Sequence, residues 1–292
     1  MTPAAGLRWV ITAALFGLVA GPAVAQAPAE RGWALKPPSV EKVVFRGVVN
    51  RDAAGLGTGA MLYPAPNAAG LLAAILTHGL LSEGAKQSQK EKLQAEANEV
   101  LAPFEGVLGG FTNVQLIRDA LPRQKSSGSR RLLGLDDNPG QDWVVEAAPV
   151  FSMTRDQRAL VLDTAVRIYA PATADAAYAQ TIRVVSRPVD TPAADAQAVQ
   201  AHWLTDGGRR LTDESAALLA LSLDVAMDDL QQAAAPAEAP QRTFRYAEGG
   251  SEKMERGSLV ASACGRLLIR TLRGWLMSVP VPTEGNPACA PS

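Results

Sequence analysis

The sequence predicts an α+β fold: antiparallel sheet, helices segregated to one side, and a β meander at the C-terminus. Three observations predict it. Strand-like runs come in consecutive blocks, at 143–153, 158–169 and 178–186, and again at 243–247, 258–263, 266–272 and 275–281. Helical patterns are grouped before and between those blocks rather than alternating with single strands. The Gly-rich phosphate turn that opens a dinucleotide-binding βαβ unit does not occur.

In chain order, residues 1–25 read as a signal peptide. Arg8 supplies a positive start, Trp9 to Val19 an apolar core, Gly21-Pro22 a break, and Ala23-Val24-Ala25 a small-x-small cleavage site. The apolar run is shorter than the roughly 20 residues that span a bilayer. A cut after Ala25 and delivery to the periplasm are the expectation, with no integral membrane span left in the mature chain. Residues 26–41 are rich in Ala and Pro and read as an extended arm.

The body is expected to run from 42 to 281, as one unit with possible halves 42–122 and 142–281. Lys42 to Val49 is β-branched and reads as the first strand, with a second at Ala60 to Tyr63 stopped by Pro64 and Pro66. Ala68 to Leu81 is apolar on nearly every face, the pattern of a buried helix or a partner-facing one. A polar helix follows from 83 to 99, with Leu93, Ala97, Val100 and Leu101 as its stripe and Pro103 as its stop. A short helix, 113–121, ends at Pro122. Residues 123–142 read as a polar loop.

In the strand at 158–169, Leu160, Leu162, Thr164, Val166 and Ile168 make one apolar face, and the alternate residues a mixed one. Two helices are expected next. One opens at Thr191-Pro192 and runs to Leu204; the other is capped by Thr212 and carries Leu219, Leu223, Met227 and Leu230 as its core stripe. Residues 233–240 are a low-complexity linker. Gly249-Gly250, Gly265 and Gly274 mark turns of the final meander. Residues 282–292 are a Pro-rich tail.

Composition removes whole classes of function. The 292-residue chain carries 28 basic and 29 acidic side chains, a net charge of -1, and 5% aromatics. That balance argues against nucleic acid as a partner, which would call for a basic surface or stacking platforms. Two cysteines are too few for a disulfide scaffold or a four-thiolate zinc site. In an oxidising compartment, Cys264 and Cys289 are expected to form one disulfide tying the tail back to the body, worth ~3 kcal/mol by chain entropy.

The candidate chemistry does not converge on an active site. His78 sits in the apolar 68–81 stretch and reads as a core or interface residue. His202, beside Trp203 with Asp206 one turn on, is the only candidate general base. No Gly-x-Ser-x-Gly elbow and no His-Glu-x-x-His occurs. Asp224 and Asp228 share a helical face, and 136–142 is acidic, but neither matches a metal-site pattern, so no metal and no cofactor are expected. Positive charge gathers near the C-terminus, at Arg242, Arg245, Lys253, Arg256, Arg266, Arg270 and Arg273.

These readings point to an exported protein with a binding or accessory role in the bacterial cell envelope and no catalytic chemistry. Its expected contacts are Leu72 and Leu76 on the apolar helix and Arg266, Arg270 and Arg273 on the C-terminal sheet. The expected partner is an envelope protein or an anionic envelope component. The alternative is an exported hydrolase built around His202 and Asp206.

Overall fold

The computed structural model describes residues 32–49, 84–134, 136–190, 195–232, 240–263 and 265–281, with 84–90 described as backbone only. The fold is α+β, with a ten-stranded, mostly antiparallel sheet and a cluster of helices. The strands are β1 (Trp33–Lys36), β2 (Val44–Gly47), β3 (Arg130–Leu132), β4 (Trp143–Met153), β5 (Leu160–Tyr169), β6 (Ala176–Val185), β7 (Gln241–Glu248), β8 (Ser251–Ala263), β9 (Arg266–Thr271) and β10 (Leu276–Pro280). The helices are α1 (Gly84–Asn98), α2 (Glu105–Leu108), α3 (Asn113–Ala120) and α4 (Ala196–Gln232).

The sheet runs β3-β1-β4-β5-β6-β10-β9-β8-β7, and β2 pairs with the far end of β4. The meander β7-β8-β9-β10 is sequential and antiparallel, as its regular turns predict. Parallel pairing occurs where distant segments join: β1 with β3 and β4, β2 with β4, and β10 with β6.

Two strands lie where the sequence predicts none. β1 falls inside the expected extended arm, and β3 inside the expected polar loop. Trp33 and Leu35 are buried at 1% and 0% exposure, so the arm is anchored in the sheet. Elements of four and three residues carry too little period to be read from sequence.

The predicted apolar face of β5 packs against the helices. Leu160, Leu162, Val166 and Ile168 share one core with Phe151 and Met153 of β4 and with Trp203, Leu211, Leu218, Leu219 and Leu223 of α4. The mixed face builds a second, smaller core. There Val161 and Val185 join Ile269, Met277 and Val279 under Phe244 and Tyr246 of β7. The sheet must therefore curl until its last hairpin lies over β5 and β6. A hydrogen bond from the Gly250 N–H to Asp156 (2.5 Å) pins that hairpin to the β4–β5 turn.

Several helix boundaries depart from expectation. Pro103 does not end α1; the helix stops at Asn98 and continues as a 3-10 segment, Glu99–Phe104, that contains the proline. Asn98 is held there because its side chain accepts the Gly47 N–H (2.9 Å), and a Cβ at Gly47 would collide with the Ala97 carbonyl. Thr112 caps α3 by accepting the Gln115 N–H (3.2 Å). The two helices expected around 205–211 exist, but the break lies at Thr205, Asp206, Gly207 and Gly208. Thr212 is thus inside the second half, where its hydroxyl donates to the Arg209 carbonyl (3.0 Å), and it caps nothing.

The expected Cys264–Cys289 disulfide is not formed, because the two cysteines are not within bonding distance. Sequence spacing does not set the Cα separation that a bridge demands. The end of β10 is tied back by the backbone instead, with the Val281 N–H donating to the Gly265 carbonyl (2.9 Å). Both cysteines lie outside the described residues. So do the leader, the strand expected at 60–63, the 68–81 helix with Leu72, Leu76 and His78, and the tail 282–292. Among the described residues, no helix is long and apolar enough to cross a membrane.

Candidate functional site

The break in α4 opens a cleft. Asp206, Gly207 and Gly208 all adopt left-handed backbone, with φ of 53°, 68° and 90°. Glycine tolerates this conformation and aspartate accepts it better than most residues. Gly208 also lets α2 approach, since a Cβ there would overlap the Val107 side chain. Three left-handed residues redirect the chain, so that α4 after the break faces α2 and α3 across a gap of about 680 Å³. That is the size of a small-molecule site.

Charged side chains dominate its walls. Arg118, Asp119 and Arg123 come from α3 and the 3-10 turn Leu121–Arg123; Asp206, Arg209 and Asp213 come from α4. Asp213 is shared by Arg123 at 2.6 Å and Arg209 at 3.6 Å. Arg123 also donates to the Asp119 backbone carbonyl (2.9 Å), which fixes its direction. The side chains of Arg118, Asp119 and Asp206 form no ion pair with any described residue. Val107, Phe111 and Pro122 supply the apolar lining.

The expected catalytic pair is split. Asp206 lines the cleft, whereas His202 does not. The imidazole lies edge-on to Trp203, with ring centroids 5.2 Å apart. Burial, assisted by Arg210, lowers its basicity. No hydrogen bond joins it to Asp206 or to any other described residue. Trp203 itself is anchored by its indole N–H on the Gln157 carbonyl (2.6 Å). No serine among the described residues lines the cleft, and the Thr212 hydroxyl donates to the Arg209 carbonyl.

The expected contact arginines are placed differently from one another. Arg266 donates to the Val185 and Ser278 carbonyls (2.7 and 3.0 Å) and to the Ser278 hydroxyl. Burial pushes its guanidinium down to about 10, so it stays cationic at neutral pH. Arg270 meets Asp229 of α4 at 2.5 Å, and Tyr178 donates to the same carboxylate at 3.1 Å. Both arginines thus tie strands to strands or strands to helix. Arg273 is about half exposed, 3.6 Å from Glu255 and stacked over Trp275.

The most buried charge lies elsewhere. Asp163 on β5 is held by Arg183 of β6 (2.6 Å) and Arg46 of β2 (3.4 Å), and Arg46 also donates to Ser152. Burial works against the Arg183 charge, but Asp163 outweighs it and holds the guanidinium above its ordinary value. The cluster thus ties four strands, β2, β4, β5 and β6, through side chains.

Carboxylates in the two acidic stretches are also engaged. Asp224 accepts the backbone N–H groups of Lys125 and Ser126. In the 136–142 turn, Asp137 accepts the Gly134 N–H and Asp142 pairs with Arg131 at 2.7 Å. Among the described residues, no cluster of three or more His, Cys, Asp or Glu side chains could hold a metal ion.

Sequence reasoning missed the cleft because its charges come from segments nearly a hundred residues apart. The one local signal was Asp206-Gly207-Gly208 between two helical patterns, which marks a left-handed break. Compared with protein families and with curated proteins, the chain matches none.

Proposed function

We propose that this chain is an exported binding protein of the bacterial cell envelope, acting in the periplasm without bond-making chemistry, and that it binds at the break in α4. The observation that carries this reading is the cleft itself. It combines ligand-sized volume with six charged side chains, and among the described residues no hydrogen-bonded nucleophile–base pair accompanies them. Such a lining recognises a ligand by charge and orients it. The apolar 68–81 segment and Arg273 remain proposed contacts for an envelope protein or an anionic envelope component.

The test is a photo-crosslinker placed at Gln115, on the cleft wall, in the exported full-length chain. A matched control carries it at exposed Lys92 on α1. We expect a discrete adduct from Gln115 and none from Lys92, in a periplasmic fraction whose protein begins at Gln26. Absence of a Gln115-specific adduct overturns the cleft as the binding site. Recovery in the cytoplasm with the leader intact overturns export. Leu72→Asp and Leu76→Asp probe the apolar segment: a folded variant that keeps every partner removes 68–81 from the interface.

A further inference from the structure

We infer that the cleft takes a small dipolar ligand, of the amino-acid or short-peptide class, carrying a free carboxylate and a free ammonium group; this rests on the cleft being the binding site. The cleft uses its charges unevenly. Of six ionisable side chains, three are cationic and three anionic. Asp213 is already held by Arg123 and Arg209. Arg118 on one side of the balance, and Asp119 and Asp206 on the other, have no ion-pair partner among the described residues.

The walls of this open cleft therefore carry charge of both signs, exposed at Arg118 and Asp206, that no described residue pairs. These groups do not neutralise each other, since none lies within ion-pair distance of another. A purely anionic ligand would gain Arg118 and face two uncompensated carboxylates. A purely cationic one would gain those carboxylates and face Arg118 with the surplus guanidinium around Asp213. Only a ligand with separated opposite charges meets both demands. Val107 and Pro122 give its intervening carbon atoms a small apolar surface. About 680 Å³ is ample for a dipeptide with side chains.

The test is calorimetric titration of the full mature chain with three probes: Ala-Ala, N-acetyl-Ala-Ala and Ala-Ala amide. The first is dipolar, the second keeps only the carboxylate, and the third keeps only the ammonium. Ala-Ala is expected to bind at least about tenfold more tightly than either single-charge probe, the size of one charge-assisted contact. Arg118→Gln should weaken Ala-Ala by about tenfold and leave Ala-Ala amide unchanged. Asp206→Asn should weaken Ala-Ala similarly and leave N-acetyl-Ala-Ala unchanged. Both variants should keep the parent Tm, because neither side chain has an ion-pair partner among the described residues and asparagine accepts left-handed backbone.

Equal affinity for Ala-Ala and N-acetyl-Ala-Ala, with sensitivity at Arg118 alone, overturns the dipolar inference and leaves the cleft reading standing. So does silence from all three probes when Gln115 still yields its adduct. Silence together with no adduct removes both.

Discussion

At position 208 an added methyl would overlap Val107 and would have to adopt φ of 90°. Neither demand can be met without moving α2 or unwinding the break. Gly208→Ala should therefore destabilise the fold by about 2 kcal/mol, read as a lower midpoint in urea unfolding with an unchanged slope. An unchanged midpoint would mean that α2 is not seated on the break. Asp163 sets a harsher test. Asp163→Asn removes the buried carboxylate charge that Arg183 and Arg46 share. The expected loss is about 3 kcal/mol, since neutralising one member of a buried ion pair removes its compensation for the opposite charge. A variant as stable as the parent would show that water already screens the cluster.

At the scale of elements, α4 is the axis of the molecule. Its two halves play different parts, since the first anchors through Trp203 and the second covers the sheet with its leucine stripe. Its C-terminal turns are fastened at Asp229, which Arg270 of β9 and Tyr178 of β6 grip together. Asp229→Asn should loosen the end of the helix without melting the sheet. Hydrogen exchange would then show lost protection confined to the last two turns of α4. Loss spreading into β5 would place the latch inside the global folding unit. The same pairing explains why a run of arginines in sequence is not a basic patch in space. Arg266 and Arg270 share one face of β9, and that face is turned to the rest of the fold.

For the whole molecule, pH dependence follows from carboxyls the fold has shielded. Burial raises the Glu248 carboxyl, against the opposing pull of Arg183 and Lys253. Burial likewise raises Glu214, and partial burial with the neighbouring Asp224 charge raises the more exposed Asp228. A carboxyl raised in the folded state favours folding while protonated, and that contribution is lost as pH rises through its folded value. Asp156 runs the other way. Burial works to raise it, but hydrogen bonds from Thr154 and from the Gly250 and Arg158 N–H groups, with the Arg158 charge, bring it below its ordinary value. Its contribution is lost only as pH falls through that lowered value. Tm should therefore rise on mild acidification from neutrality and fall again in stronger acid. Glu248→Gln should flatten part of the rise. A Tm that falls steadily below pH 7 would contradict this assignment.

What the sequence determined by itself is whatever a short window encodes. The alternation in β5, the Gly249-Gly250 hairpin, the stripe of α4 and the regular turns of the meander are all local, and they place the long strands within two residues of β4 to β6. The α+β class follows from their grouping. Packing settles whatever depends on which segments meet. β1 and β3 are too short to show a period; β1 is a strand because β4 offers it an edge, and β3 because β1 does. The Thr212 cap fails because two glycines placed the break earlier. The cysteines are spaced for a bridge in sequence, yet they are not within bonding distance. The cleft joins Arg118 and Arg123 to Asp206, Arg209 and Asp213 through packing alone, because charge complementarity across a fold has no period along the chain.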